Sequence, residues 1–404
     1  MRIEARPGSF INKGGELMMR AIAAEVGGDA ELVVEPWIAP YVDRARLGLT
    51  QKLWVRRLGP AAALPAAALP RGVRRRFGIV AESEIDAVLD ASGFRYTDDD
   101  RYGARSAREL ATNATRWRRQ GKRVVLLPQA LGPFRTAAVR DPFRRALDGV
   151  DLVYARDPES AAHLRALLPG DERVRQAPDF TIGLAGHPPD DLTALVGASP
   201  FAAIVPNDRM LERTDAEVAA RYVAFLESAV HELSAIGLRS VLVLHEAARD
   251  AAFADRLRPT LGPDPRVVTA ADPLVLKAVL GAATLVVSSR YHALISAMSQ
   301  GVPVLATGWS HKYATLLEAF GCPDQLIDPR ATVEELRDRL AIASEGPARS
   351  AMMSMLLART AQQRDEVHAM WLEIRELLGL PRTNASGAGP GTTASGAGPR
   401  PIAS

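Results

Sequence analysis

The feature that most narrows what this chain can fold into is an alternation, in which short runs rich in β-branched residues are followed repeatedly by longer amphipathic stretches. Strands taken in turn with helices make parallel sheets, because a helix supplies the return leg of each crossover. "RIEA" leads into "GELMMRAIAAEV", and "IDAVLDASG" and "KRVVLLPQ" read as buried strands. "DLVYARD" precedes "PESAAHLRALL", where Pro158 suits a first helical turn. Residues 183–200, "GLAGHPPDDLTALVGASP", have the Gly, Pro and Asp content of a linker. Beyond them "FAAIVPN", "RSVLVLH", "RVVT", "TLVVSS" and "PVLATG" resume the strand pattern.

A chain of 404 residues with 47% hydrophobic and 24% charged side chains has more apolar material than one core holds. The reading is α/β, with an N-terminal wound domain over 1–185, a second over 186–345 and a helix over 346–380. A tail over 381–404 repeats "ASGAGP" and cannot build a core, so it is expected to be disordered. The start "MRIEARPGSF" is charged where a signal peptide would be apolar, and "AAALPAAALP" is broken by Pro65 and Pro70, so no integral membrane segment is expected. The single cysteine, Cys322, offers neither a disulfide nor a metal cluster; a cytoplasmic protein with no bound metal is expected. The basic runs "RGVRRRFG" and "RWRRQGKR" lack interleaved aromatics and net charge is only +3, so they read as solvated helix faces and no nucleic-acid partner is expected.

Two wound sheets facing one another leave a cleft, and ligands of such sheets sit at the carboxyl ends of the strands. "TLVVSS" ends in Ser288 and Ser289, and Arg290 and His292 follow in the first turn of a helix, where free N–H groups favour an anion. Taken alone, Arg290 also reads as a surface residue and His292 as a packing histidine. Arg156, after "DLVYA", reads equally as an ion-pair partner of Asp157 or Glu159.

The run "RYHALISAMSQGVPVLA", followed by His311, Lys312 and Tyr313, resembles the signature of the polysaccharide pyruvyl transferase family. "INKGGELMMRAI" (11–22), "LLPQALGPF" (126–134), and "YARDPES" (154–160) with "APDF" (177–180) are similar to further segments of that family, in the same order. The resemblance implies two Rossmann-like domains facing a cleft in the manner of GT-B glycosyltransferases. It implies transfer of the enolpyruvyl group of phosphoenolpyruvate, a substrate and not a cofactor, onto sugar hydroxyls of a polysaccharide precursor as a pyruvate ketal. His292 becomes the expected general acid, and Arg290 and Arg156 the clamps on the donor's carboxylate and phosphate. Lys312 is placed to touch the phosphate. Asn12, Gly14 and Gly15 are expected to let backbone approach a ligand. Gln129 with its "GPF" turn is expected on the acceptor side, Asp90 as an acceptor contact or base, and His245, at the end of "RSVLVLH", as a cleft residue and the second choice of acid. Many relatives carry an acid at the position of Gly15, whereas here it comes one later as Glu16, so that acid's role does not transfer. A lipid-linked acceptor would bring peripheral membrane contact. A GT-B glycosyltransferase or sugar-nucleotide epimerase, and a non-catalytic glycan-binding protein of the same fold, remain the alternatives.

Overall fold

The computed structural model describes residues 1–53, 69–198 and 200–382. Residues 383–404 of the expected tail, and most of the "AAALPAAALP" run, lie outside the described residues.

The first half forms β1 (Arg2–Pro7), β2 (Glu31–Val34), β3 (Thr50–Lys52), β4 (Ile79–Val80), β5 (Ala87–Ala91), β6 (Arg123–Gln129), β7 (Leu152–Ala155) and β8 (Val174–Gln176). They make one eight-stranded parallel sheet in the order β4-β3-β2-β1-β5-β6-β7-β8. The second half forms β9 (Phe201–Val205), β10 (Arg239–Val243), β11 (Arg266–Val268), β12 (Leu285–Ser288) and β13 (Val304–Ala306), a parallel sheet in the order β11-β10-β9-β12-β13. Strands β5, β9 and β12 are buried along their whole length, as expected where helices cover both faces of a parallel sheet.

In each sheet the winding reverses about its first strand. The chain steps outward on one side of β1 and then returns to place β5 on the other, and it does the same around β9 with β12. Loops leaving the two strands of such a pair diverge, and a crevice opens at their carboxyl ends. Helix Lys13–Val26 starts from the β1 loop and helix Tyr291–Met298 from the β12 loop, so the sheets meet crevice to crevice.

A long helix, Gly346–Leu377, follows the second sheet and returns to the first half. Arg375 bonds to the Glu25 carbonyl and to Asp29, and Glu373 accepts from Tyr154 and, at 2.9 Å, from Arg175. Trp371 packs edge-on to Phe180 at 5.9 Å, within an apolar cluster that runs from Ile3 and Leu89 in the first sheet to Val205 and Val286 in the second. No described helix is long and apolar enough to cross a membrane.

Candidate active site

The facing crevices enclose a cavity of about 380 Å³. Arg156, Arg290, His292, Asn12, Gly15, His245 and Lys312 all line it, although they come from both halves of the chain. Asn12 caps helix Lys13–Val26, its Oδ1 accepting from the Gly14 N–H at 2.9 Å. Gly14 does not line the cavity but seats His292, since a Cβ there would stand 2.2 Å from the imidazole Nδ1. Gly15 packs its bare Cα on the β1 loop, where a Cβ would come within 2.8 Å of the Gly8 carbonyl. Glu16 turns to Lys13, at 2.9 Å, and to Arg20.

Asp90 and Gln129 are corrections to the sequence reading. Both are fully buried and neither lines the cavity. Asp90 anchors the loop after β5, accepting from the Ser92 N–H at 3.0 Å and the Tyr96 hydroxyl at 2.9 Å. Gln129 reaches the Asp90 carbonyl, and the "GPF" turn packs Phe134 on Phe143 at 4.8 Å, away from the cleft. Polar side chains at strand ends hold the loop there rather than a ligand.

Arg290 is placed as expected but used differently. Its Nε donates to the Pro206 carbonyl at 3.0 Å, Nη1 to Glu246 at 2.6 Å and Nη2 to Asp250. Most of the fork is therefore engaged, so Arg290 ties the ends of β9, β10 and β12 together. Ser288 accepts from the Arg290 N–H at 2.9 Å in the turn before the helix, but Arg290 itself is the N-cap and no side chain caps the helix, so the expected serine cap and the place of Arg290 in the first turn are corrected.

Arg156 pairs with Asp179 at 3.2 Å, not with Asp157, which caps helix Pro158–Leu167. Its guanidinium lies over the Tyr291 ring at 4.2 Å. Lys312 approaches the same ring at 5.7 Å, with Trp309 at 4.0 Å and Phe94 at 4.9 Å completing an aromatic cage. Among the described residues no carboxylate pairs with Lys312; burial first, and then Arg156, Arg213 and Arg209, hold its pKa well below the usual lysine range. A buried cation surrounded by other cations is costly until an anion arrives.

His292 sits beside this pole, its Nε2 3.6 Å from Asp179. Burial pushes its pKa down to about 4, with Asp179 opposing and Arg156 and Lys312 adding to the fall. Its proton is therefore absent near neutral pH in the ligand-free protein. His245 is held lower still, at about 3, by burial and then by Arg290, and its Nε2 has no hydrogen-bond partner among the described residues. Asp179, Tyr291, Trp309 and Trp37 were not singled out by sequence reasoning. "APDF" and "GWSHKY" carried the signal for Asp179 and Trp309, whereas Trp37 follows β2 with no motif around it.

Two outcomes are expected. Arg290→Ala leaves Glu246 and Asp250 buried without their cation, so chemical denaturation should show a loss of about 3–5 kcal/mol. The two cleft histidines are neutral in the fold, with pKa values below the unfolded 6.5. The unfolded chain takes up protons first as pH falls, so their contribution is complete above about 6.5 and is lost toward pH 4. Denaturant midpoints should therefore fall over that range, and less steeply in His292→Gln.

Proteins of known structure share the fold. HepE of Anabaena in complex with UDP superposes with a TM-score of 0.56 at 16% identity over 94% of this chain and 100% of that one. A putative UDP-N-acetylglucosamine 2-epimerase from Listeria monocytogenes does so with a TM-score of 0.60 at 12% identity over 94% and 98%. The UDP-GlcNAc 2-epimerase from Neisseria meningitidis bound to UDP-GlcNAc gives 0.56 at 11% identity over 94% and 100%. At such identities these neighbours establish the fold, which is GT-B-like. No curated protein matches the chain. The model of polysaccharide pyruvyl transferases matches residues 12–311, from the cap of the first helix to the residue before Lys312, and the chain belongs to that family.

Proposed function

We propose that the protein transfers the enolpyruvyl group of phosphoenolpyruvate onto two hydroxyls of a sugar, forming a pyruvate ketal and releasing phosphate. The observation that carries this reading is the basic pole at the Tyr291 ring, where buried Lys312 has no carboxylate partner among the described residues and stands near Arg156 and a buried imidazole. A small donor bearing both carboxylate and phosphate supplies the negative charge this pole lacks. Arg156 takes the place of Arg290 as the guanidinium facing the donor, and Lys312 meets the second anionic group.

The chemistry requires a proton at the donor's methylene carbon. That carbon becomes a methyl group, and the positive charge left on its neighbour is attacked by the first hydroxyl. The C–O bond to phosphate then breaks, and the second hydroxyl closes the ring. Of the two hydroxyl protons, one replaces the proton given to the methyl group and the other leaves with phosphate. His292 is the group placed to hold and move the first. Negative charge on the bound donor raises the imidazole pKa from its low value in the empty cleft, so the acid is armed by its own substrate. The acceptor enters from the first half, where half-exposed Trp37 offers a flat apolar face, and Ser9 and Asn12 offer polar groups. The indole N–H of Trp37 bonds to Glu35, which fixes the ring.

Phosphoenolpyruvate should raise the melting temperature, and Arg156→Ala or Lys312→Ala should abolish the rise. A rise with uridine diphosphate and none with phosphoenolpyruvate would instead place the chain with the nucleotide-sugar enzymes. His292→Gln should lower kcat by about 10² to 10⁴ with donor affinity little changed near neutral pH. In the wild type, donor binding draws a proton onto His292, so affinity weakens as pH rises from about 4 toward the bound-state value. That component should be missing from His292→Gln, the donor's own ionisation being common to both.

A further inference from the structure

We infer that Asp179 is the positioning residue of this site, a single carboxylate that fixes the tautomer of His292 and joins its protonation to the guanidinium of Arg156. The chemical part of the inference rests on the pyruvyl-transfer reading; the tautomer does not.

The carboxylate is held from one side. Asp179 Oδ1 accepts from the Thr181 N–H at 3.0 Å and from the Thr181 hydroxyl at 2.7 Å. This fixes its plane and leaves Oδ2 for two partners: Arg156 Nη1 at 3.2 Å, from the first half, and His292 Nε2 at 3.6 Å, from the second. Burial favours the neutral acid, but His292, Arg156 and the Thr181 bonds outweigh it and hold the pKa below the usual carboxylate range. The acid is therefore ionised.

An ionised oxygen facing Nε2 selects the neutral imidazole that carries its proton there. The Nε2 atom is buried and makes no hydrogen bond among the described residues, so the carboxylate 3.6 Å away acts on it by charge. Nδ1 lies on the Gly14 side, and with the proton on Nε2 it is the nitrogen whose lone pair is free. Around the imidazole stand Arg156, Lys312 and Lys277, whose charges all oppose protonation, and Asp179, which favours it. Tyr291 touches the ring edge-on at 5.7 Å, and His245 faces the same cavity. When the donor arrives and offsets Arg156 and Lys312, Asp179 becomes the counter-ion of the imidazolium. Proton transfer then runs from Nδ1 to the methylene carbon, and Nε2–H stays on Asp179 throughout. A carboxylate that orients a histidine in this way acts through it, without touching the substrate.

Asp179→Asn tests this in two independent ways. Nitrogen-15 spectra of the imidazoles at neutral pH, with His292 assigned by its loss in His292→Gln, need no substrate. The wild type should show the Nε2–H form of His292, and Asp179→Asn should shift it toward Nδ1–H. Equal tautomer populations in the two proteins, or Nδ1–H in the wild type, would overturn the inference. In turnover, Asp179→Asn should move the high-pH limb of kcat down by about one unit and lower kcat tenfold or more near neutral pH. Adding it to His292→Gln should cost less than about threefold, because the two residues act as one unit. If Asp179 only holds Arg156, donor affinity falls while tautomer and pH limb stay in place, and the inference fails. A tautomer shift in a protein that releases no phosphate from phosphoenolpyruvate would support Asp179 and reject the pyruvyl-transfer reading instead. Should Asp179→Asn not fold, the wild-type spectrum alone decides: the Nε2–H form of His292 supports the inference and the Nδ1–H form overturns it.

Discussion

Every strand in both sheets runs parallel to its neighbours, and that polarity decides where chemistry can sit. Parallel strands deliver all their carboxyl ends, with the loops and helix starts that follow, to one edge of the sheet. Two such edges face each other here, so the residues after β1, β5 and β7 meet those after β9, β10 and β12 across a single cavity. No loop has to travel far to reach the site. The apolar strand interiors are free to serve packing alone, while charged groups gather where the backbone is irregular and able to hydrogen-bond them.

Two buried cations in this cavity show how context assigns a role. Arg290 has a carboxylate on each arm and a carbonyl on its Nε. It is complete without a ligand, and its removal leaves charges stranded. Lys312 has aromatic faces and no carboxylate, and its nearest charges repel it. It is incomplete without a ligand. Burial is nearly the same for the two, 5% and 8% exposed, so exposure does not separate a structural cation from one awaiting an anion; the partners do.

The same distinction marks where the sequence was legible. Periodicity and Gly/Pro punctuation located β1, β5, β6, β7 and all five strands of the second sheet. Strands β2, β3, β4 and β8 were not visible: the last three are two or three residues long and partly exposed, and β2 has only four residues. Residue types at strand ends pointed to Arg156, His292, His245 and Lys312, which the fold brings together. They also pointed to Asp90, Gln129 and a clamp at Arg290, because a loop anchor and a ligand contact use the same chemistry at the same kind of position. Asp179 was part of a recognised segment but had no role until the fold placed it against residues 23 and 113 positions away. Ring stacking around Lys312 likewise depends on Phe94, which comes from the other sheet.

The chain crosses between the halves twice, once after β8 and again in helix Gly346–Leu377. The crossings lie side by side: Arg364 of the helix bonds to the Ile182 carbonyl of the first crossing, and Trp371 packs on Phe180. Two adjacent crossings fix how one half is set against the other more firmly than a single linker would. Gly14 belongs to the first half, His292 to the second, and Asp179 adjoins the first crossing, so the imidazole's seat exists only while the halves hold this arrangement.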